Sequence, residues 1–527
     1  VEHLGSTILI DGNIIKKIKR VGIYCANTTF VSKLPLLRIL NNPTISGSNM
    51  VTGILVRSFT SPRIENNRVD FLGSFSSFTS GVLRRGIVLE NALSNSSISF
   101  NTISRSAIDE FDLPPAGTDY ETLRGIDCEN SPGTLILCNQ MNYTGVGLQL
   151  TGNNLKTRVQ KNVFDHTVLG VRLMDAAITH QGSSPTQSFD NLWINNYTSA
   201  AYGKRVSGNI DPLIQPIQAK WYYYPYSTDY SPCDFGELNQ AFCQYDVTPN
   251  SQFGIINNPD NNSFTCQTPV SQTYSYSDLY DRIITTDSVV IPDSLIGARL
   301  MAEYWAFEEL TEDSALWASN DSMLIKYKDW TFAQTNQFLG QNYNALKLLA
   351  FADTASFHSF TLSIPDTSEL LSNYKQVAQI YSRSWMQDSI DVDSSDFVYL
   401  YNLALQNPMR FGSSVYNAQT MTGFYGFGEE AKSSVITNPS TESITHNHII
   451  LYPNPANDEL NIQFRTEFSG MVDVEIYDFS GKGMLNWSKN ITNNQTLSLN
   501  INSLKPGVYL TKVSFSGIVQ TKRFIKL

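Results

Sequence analysis

Long cationic runs are missing from this chain, and with them the basis for nucleic-acid binding. Lys and Arg number 37 against 48 Asp and Glu, and the formal net charge is −11 over 527 residues. No patch of the kind that neutralises a phosphate backbone is therefore expected. Long apolar runs are also missing, and none approaches the ~20 residues of a membrane-spanning helix. The six cysteines are too scattered for a dense disulfide framework. The six histidines, among them His180 and the linker pair His446 and His448, show no metal-ligand spacing, so neither a metal nor a cofactor is expected. There is no Gly-x-Ser-x-Gly elbow and no phosphate loop. Charged residues make up only 16% while Ser, Thr, Asn and Tyr are abundant, the texture of an extracellular β-rich protein. The chain opens at Val1, without Met or signal peptide, in what reads as the middle of a repeat. The expectation is a mature or truncated piece of a longer protein.

What is present is repetition. A strand begins Gly-apolar-x-apolar at Gly22, Gly53, Gly86, Gly125, Gly147 and Gly170. Four copies are followed by apolar-x-x-Asn-x-apolar, at Ile64/Asn67/Val69, Ile98/Asn101/Ile103, Ile136/Asn139/Met141 and Val159/Asn162/Phe164. Ile10, Asn13 and Ile15 read as the tail of an earlier copy. The first and third residues after each Gly should point inward and the Asn residues should stack at a corner. Cys25 and Cys128 fall on inward positions and read as core thiols. Insertions at 73–78 and around 109–115 leave at one corner, a natural binding side for a stacked repeat. The pattern over residues 1–200 resembles the right-handed parallel β-helix of the pectate-lyase-like superfamily. That resemblance implies fold far more than function.

The best carboxylate constellation lies on the outward side of the same strands. Asp127 and Glu129 follow Gly125 at positions two and four, and Glu90 and Arg57 hold the fourth position in the two preceding copies. Stacking would align Arg57, Glu90 and Glu129 in a column with ~5 Å steps. Adjacent carboxylates push one pKa upward and can serve as acid and base in glycoside cleavage. The plainer expectation is a solvated charge ladder partly neutralised by Arg57. The Asn-Thr-Asp, Asp-Asp and Gly-His-Gly patterns of polygalacturonases are absent, as is a calcium cluster like that of pectate lyases.

Residues 201–285 lose the period. They contain Trp221-Tyr222-Tyr223-Tyr224-Pro225-Tyr226 and Cys233, Cys243 and Cys266, suggesting a lid over the repeat's end with one loop-closing disulfide, Cys233–Cys243 or Cys243–Cys266. Residues 286–428 switch to helical periodicity, with helices expected at Leu295–Leu310, Thr331–Leu349, Ser368–Met386 and Phe397–Gln406. Residues 429–447 read as a linker.

Residues 448–527 alternate apolar and polar, as in Leu460–Phe464 and Val472–Tyr477, and contain turn chemistry at Ser480-Gly481-Lys482 and Pro506-Gly507. A small β-sandwich of about seven strands is expected. Tyr452-Pro453-Asn454-Pro455, the segment ending Gly481-Lys482, Gly507-Val508-Tyr509 and the closing Lys526-Leu527 resemble the C-terminal sorting domain of the type IX secretion system. The resemblance implies passage through the periplasm to the cell surface or beyond, with the secretion machinery as partner. Ser288, Ser294, Ser314, Ser322, Thr354 and Ser389 each follow Asp and precede an apolar residue. This is similar to the O-glycosylation sequon of the same bacterial phylum, and equally to ordinary helix N-caps.

The combined expectation is a mainly β, secreted surface protein that binds glycans or acts as an architectural element. Its alternatives are a polysaccharide lyase or glycoside hydrolase using Asp127, Glu129, Glu90 and Arg57, and a stalk whose functional domain lies upstream.

Overall fold

The computed structural model describes residues 7–30, 36–48, 50–72, 82–92, 95–106, 122–182, 189, 191–194, 204–211, 213–216, 219–223, 243–245, 272–285, 291–349, 353–387, 392–424, 449–452, 456–464, 470–478, 483–491, 496–515 and 518–526. The chain is mainly β, with parallel sheets, a helical region and a C-terminal antiparallel region. It divides into two compact units, residues 1–388 with 403–431 and residues 389–402 with 432–527.

In the first unit the strands fall in rotation into three parallel sheets. The first sheet contains Thr7–Asp11, Leu36–Leu40, Arg63–Glu65, Ser97–Ser99, Leu135–Leu137 and Arg158–Gln160. The second contains Ile14–Ile15, Thr44–Gly47, Arg68–Leu72, Thr102–Ser106, Gln140–Asn142, Val163–Asp165 and Leu192–Ile194. The third contains Val21–Ala26, Thr52–Arg57, Arg84–Glu90, Leu123–Glu129, Val146–Asn154, Leu169–Ile178 and Lys204–Ile210. Register stacks like on like. Ile39, Ile64, Ile98, Ile136 and Val159 form one inward column, and Ile54, Ile87, Ile126, Leu148 and Val171 another. Both belong to a single buried apolar core. Each fully buried aliphatic side chain there contributes about 1.5–3 kcal/mol of transfer free energy.

The glycines open the third-sheet strands because the corner has no space for a side chain. A Cβ on Gly125 would lie 2.5 Å from the Gly147 carbonyl oxygen and 2.6 Å from Met141 Cγ. The Asn residues stack as expected, and the ladder is longer than the sequence motif. Asn13, Asn42, Asn67, Asn101, Asn139 and Asn162 each donate a backbone N–H to the next Asn Oδ1, ending at Asn191. The amides of Asn67, Asn101, Asn139, Asn162 and Asn191 also donate to backbone carbonyls of the preceding circuit, so buried polar backbone at this corner is satisfied.

Ten helices are described: α1 (Tyr276–Ile284), α2 (Ile296–Glu312), α3 (Ser314–Ala318), α4 (Ile325–Gln334), α5 (Phe338–Leu349), α6 (Thr354–Ser363), α7 (Glu369–Arg383), α8 (Ser394–Ala404), α9 (Pro408–Phe411) and α10 (Ser413–Met421). The segment expected as one helix over Thr331–Leu349 is two. The chain turns where Gln337 N–H bonds the Gln334 carbonyl, and Gly340 approaches Thr335 so closely that a Cβ would meet its oxygen at 2.2 Å. Most helices belong to the same compact unit as the parallel sheets. Phe30, fully buried, packs among Phe357, Tyr374 and Tyr381 at ring distances of 5.8, 5.7 and 4.9 Å. Leu155 and Ala177 of the strand stack join the apolar cluster of α1, α2 and α4.

Cys25 and Cys128 are free thiols at inward positions, where burial pushes them up to about 11 and about 12. Cys138 is disulfide-bonded. The pairings expected among Cys233, Cys243 and Cys266 involve side chains outside the described residues. Trp221 is 1% exposed and belongs to the strand-stack core. The insertions at 73–78 and around 109–115 also lie outside the described residues. They fall between second-sheet and third-sheet strands.

In the second unit, a three-stranded sheet (Ile449–Tyr452, Glu459–Phe464, Leu497–Asn500) and a four-stranded one (Gly470–Asp478, Gly483–Ile491, Gly507–Phe515, Ile518–Lys526) are antiparallel. Leu460, Ile462 and Phe464 share one apolar core with Val472, Val474, Ile476 and Phe524, the alternation read from the sequence.

Candidate functional site

The register brings Arg57, Glu90 and Glu129 into one column on the outward side of the third sheet. The expected solvated charge ladder is not what forms. Arg57, Glu90 and Asp127 are 1, 6 and 4% exposed, and Glu129 is half-buried. Arg57 Nε and Nη2 reach Glu90 Oε2 at 2.7 and 2.6 Å. Its Nη1 donates to the Phe424 carbonyl at 2.8 Å, just beyond α10. Arg85 bridges Glu90 Oε1 at 3.3 Å and Asp127 Oδ2 at 3.8 Å, and Arg124 holds Asp127 at 2.9 Å. Above them Tyr416 of α10 donates its hydroxyl to Glu129 Oε1 and accepts a 3.0 Å bond from Asn130 Nδ2. Helices α9 and α10 therefore cover a face that the strand pattern alone leaves open.

The electrostatics separate the two glutamates. Burial raises the Glu90 pKa, but Arg57 and Arg85 outweigh it and hold the carboxyl below its usual range. Burial, and then the Glu90 charge beside it, push Glu129 up to about 7. One ionised and one raised carboxylate is the division an acid–base pair needs. Access is the missing requirement. Glu90 and Asp127 are sealed by guanidinium groups and by Tyr416, itself 1% exposed. The arrangement works as a clamp between sheet and helices, with three Arg facing three carboxyls.

The sequence reading missed Arg85, Arg124, Asn130 and Tyr416. Two of these left a signal, because Arg precedes Gly in both Arg85-Gly86 and Arg124-Gly125. Tyr416 left none, since it lies 287 residues from Glu129.

An open groove of about 330 Å³ lies elsewhere, on the outward side of the first sheet. Its floor is Ser97, Ser99, Leu135 and Leu137, with Arg63 and Glu65 one strand before and Arg158 one strand after. Ser97 and Ser99 hydroxyls lie 3.0 Å apart. Phe100 stands at the edge, 49% exposed and with φ at +58°.

Among the Asp-Ser/Thr positions, Asp313, Asp321 and Asp353 cap helix starts through their carboxylates. Asp293 lies in the first turn of a short helix without a side-chain cap bond at its N-cap. Ser294, Ser314, Ser322 and Thr354 are all exposed. Ser288 and Ser389 fall outside the described residues. Of the sorting-signal residues, Tyr452 is exposed, whereas Tyr509 stacks on Phe524 at 5.7 Å and Lys526 is 8% exposed. Gly507 opens its strand with φ at +158°, paired with Lys526. Pro453, Asn454, Pro455, Gly481 and Lys482 lie outside the described residues.

Comparison with known families matches residues 450–527 to the secretion system C-terminal sorting domain. A search of curated proteins found no match to the chain. The matched domain marks proteins exported by the type IX secretion system, so this is a secreted protein addressed to the cell surface or the extracellular space.

Proposed function

We propose that the chain is a non-catalytic, glycan-binding surface protein built on a right-handed parallel β-helix over residues 1–200. Residues 201–285 serve as its cap, 286–428 as a helical cover, 429–447 as a linker and 448–527 as a β-sandwich sorting domain. Strands that rotate through three parallel sheets, with a seven-member Asn ladder at one corner, support the β-helix reading. The observation that carries the non-catalytic reading is the burial of Glu90 and Asp127 beneath three Arg and Tyr416. A general acid or base must reach the proton it transfers, and here that path is occupied by the protein itself.

The test is a panel of polysaccharides incubated with the full chain. Binding without new reducing ends or unsaturated products is expected. Turnover that Glu129→Gln abolishes would establish the lyase or hydrolase instead. The exposed hydroxyls of Ser294, Ser314, Ser322 and Thr354 support O-glycosylation in the native host, which intact-mass measurement of the exported protein checks directly.

A further inference from the structure

We infer that the groove on the first sheet binds a short acidic saccharide, with Arg63 and Arg158 taking its anionic groups and Phe100 stacking on a sugar face. The inference rests on the glycan-binding reading and gives it a place. Four observations converge on it.

Phe100 is the first. The turn between the first and second sheets takes a left-handed residue, Asn41 and Asn66 in earlier circuits with φ of +52° and +55° and Cys138 and Lys161 in later ones with φ of +57° and +53°. Asn tolerates that conformation, whereas a bulky residue in it is strained. Here the position is Phe, an aromatic side chain left 49% exposed at the groove edge. A half-exposed aromatic ring at the rim of a polar groove is a platform for the apolar face of a sugar.

Charge is the second. In a chain of net charge −11, the outward column of this sheet runs Arg38, Arg63, Ser97, Leu135, Arg158. The side chains of Arg63 and Glu65 make no hydrogen bond or ion pair among the described residues. A guanidinium left unpaired beside a groove is a bidentate carboxylate or sulfate receptor. Glu65 and the Ser97 and Ser99 hydroxyls supply acceptors and donors for sugar hydroxyls.

Shape is the third. The strands of Arg63 and Arg158 are three steps apart, about 14 Å at the usual strand spacing. Between them the floor is low, made of Ser and Leu. A ligand of a few sugar units lying across the strands spans that distance, and about 330 Å³ suits a small ligand.

The fourth excludes a peptide added as an extra strand. The floor strands Ser97–Ser99 and Leu135–Leu137 are paired on both sides and offer no free edge.

The experiment measures binding of trigalacturonate to the full chain, with cellotriose as neutral control and an Asp/Glu-rich octapeptide as acidic control. Trigalacturonate alone should bind, more weakly as salt rises. Arg63→Ala should weaken it by about tenfold or more, the value of a charge-assisted contact. Phe100→Asn should do the same while unfolding no more easily than wild type, since Asn relieves the left-handed strain, so lost binding cannot be ascribed to misfolding. Preferential binding of the octapeptide would overturn the ligand class. Trigalacturonate binding that both variants retain would overturn the groove while leaving glycan binding intact. A wild-type chain that binds no sugar on a broad glycan array would remove both readings.

Discussion

Replacing Glu129 with Gln should remove one defined share of the stability that the folded chain loses as pH rises from 5 to 8, leaving the shares of Glu308 and Asp211, which burial also raises, to about 7 and about 6. Tyr416 donates its hydroxyl to Glu129 Oε1, and Gln keeps an acceptor oxygen for that bond while removing the charge. The Glu129 carboxyl rises from 4.5 to about 7 on folding, chiefly through burial and the neighbouring Glu90 charge. Below pH 4.5 the folded and unfolded chains both hold the proton. Between pH 4.5 and 7 only the folded chain does, so stability falls as pH rises through this window and levels off above it. A shift from 4.5 to about 7 corresponds to at most about 3 kcal/mol, and the partial solvent access of Glu129 lowers that toward about 2 kcal/mol. The variant should therefore match wild type within about 1 kcal/mol at pH 5 and exceed it by about 2 kcal/mol at pH 8. Urea unfolding at both pH values, followed by tryptophan fluorescence, reads the difference. Tyr416→Phe, which removes the hydroxyl from the clamp, should destabilise by about 1–3 kcal/mol under the same conditions. A Glu129→Gln chain whose stability runs parallel to wild type between pH 5 and 8 would refute the buried-clamp reasoning.

Three further outcomes follow from the same geometry. Asn101→Ala removes the partner of Asn67 N–H and of the Ile64 carbonyl in the middle of the ladder, and should cost about 3–5 kcal/mol, seen as early urea unfolding or rapid proteolysis between the flanking circuits. Gly125→Ala places a methyl 2.5 Å from a backbone carbonyl oxygen and should abolish soluble folded protein, while Gly483→Ala, with its nearest atom at 3.9 Å, should be tolerated. Deleting residues 450–527 should leave the protein in the periplasm of a type IX-secreting host, as immunoblots of cell fractions would show.

Much of this was legible in the primary structure, and the parts that were not share a cause. Repeated Gly and Asn specify the strand stack because each rung is a local event whose neighbours lie one circuit away. Even so, Asn42 escaped the motif, since Pro43 adds a residue between it and the inward Ile45, which stacks on Val69. Asn191 escaped because Ser188 stands where the motif has an apolar residue. The charged column was placed correctly in register, from Arg57 to Glu90 to Glu129, and misplaced in environment. Burial of that face depends on α9 and α10, which follow it by almost 300 residues, and no periodicity in the strands records what packs on their outward side. Phe100 was equally hidden, because its backbone strain appears only once the turn it occupies is known. Helices α2, α7 and α8 were found from their period, with Ser368 capping α7, whereas α1, α3, α6, α9 and α10 fell outside the expected segments, and the break between α4 and α5 depends on a polar turn and a close Gly340 approach.

The central claim is that the first-sheet groove meets the ligand while the charged face of the third sheet remains closed. Hydrogen exchange of the full chain with and without trigalacturonate, combined with analysis of the sugar afterwards, tests both halves together. Protection confined to residues 63–65, 95–100, 133–137 and 158–160 with unchanged trisaccharide is the expected result. Protection at residues 85–90 and 124–130 accompanied by cleaved sugar would contradict it.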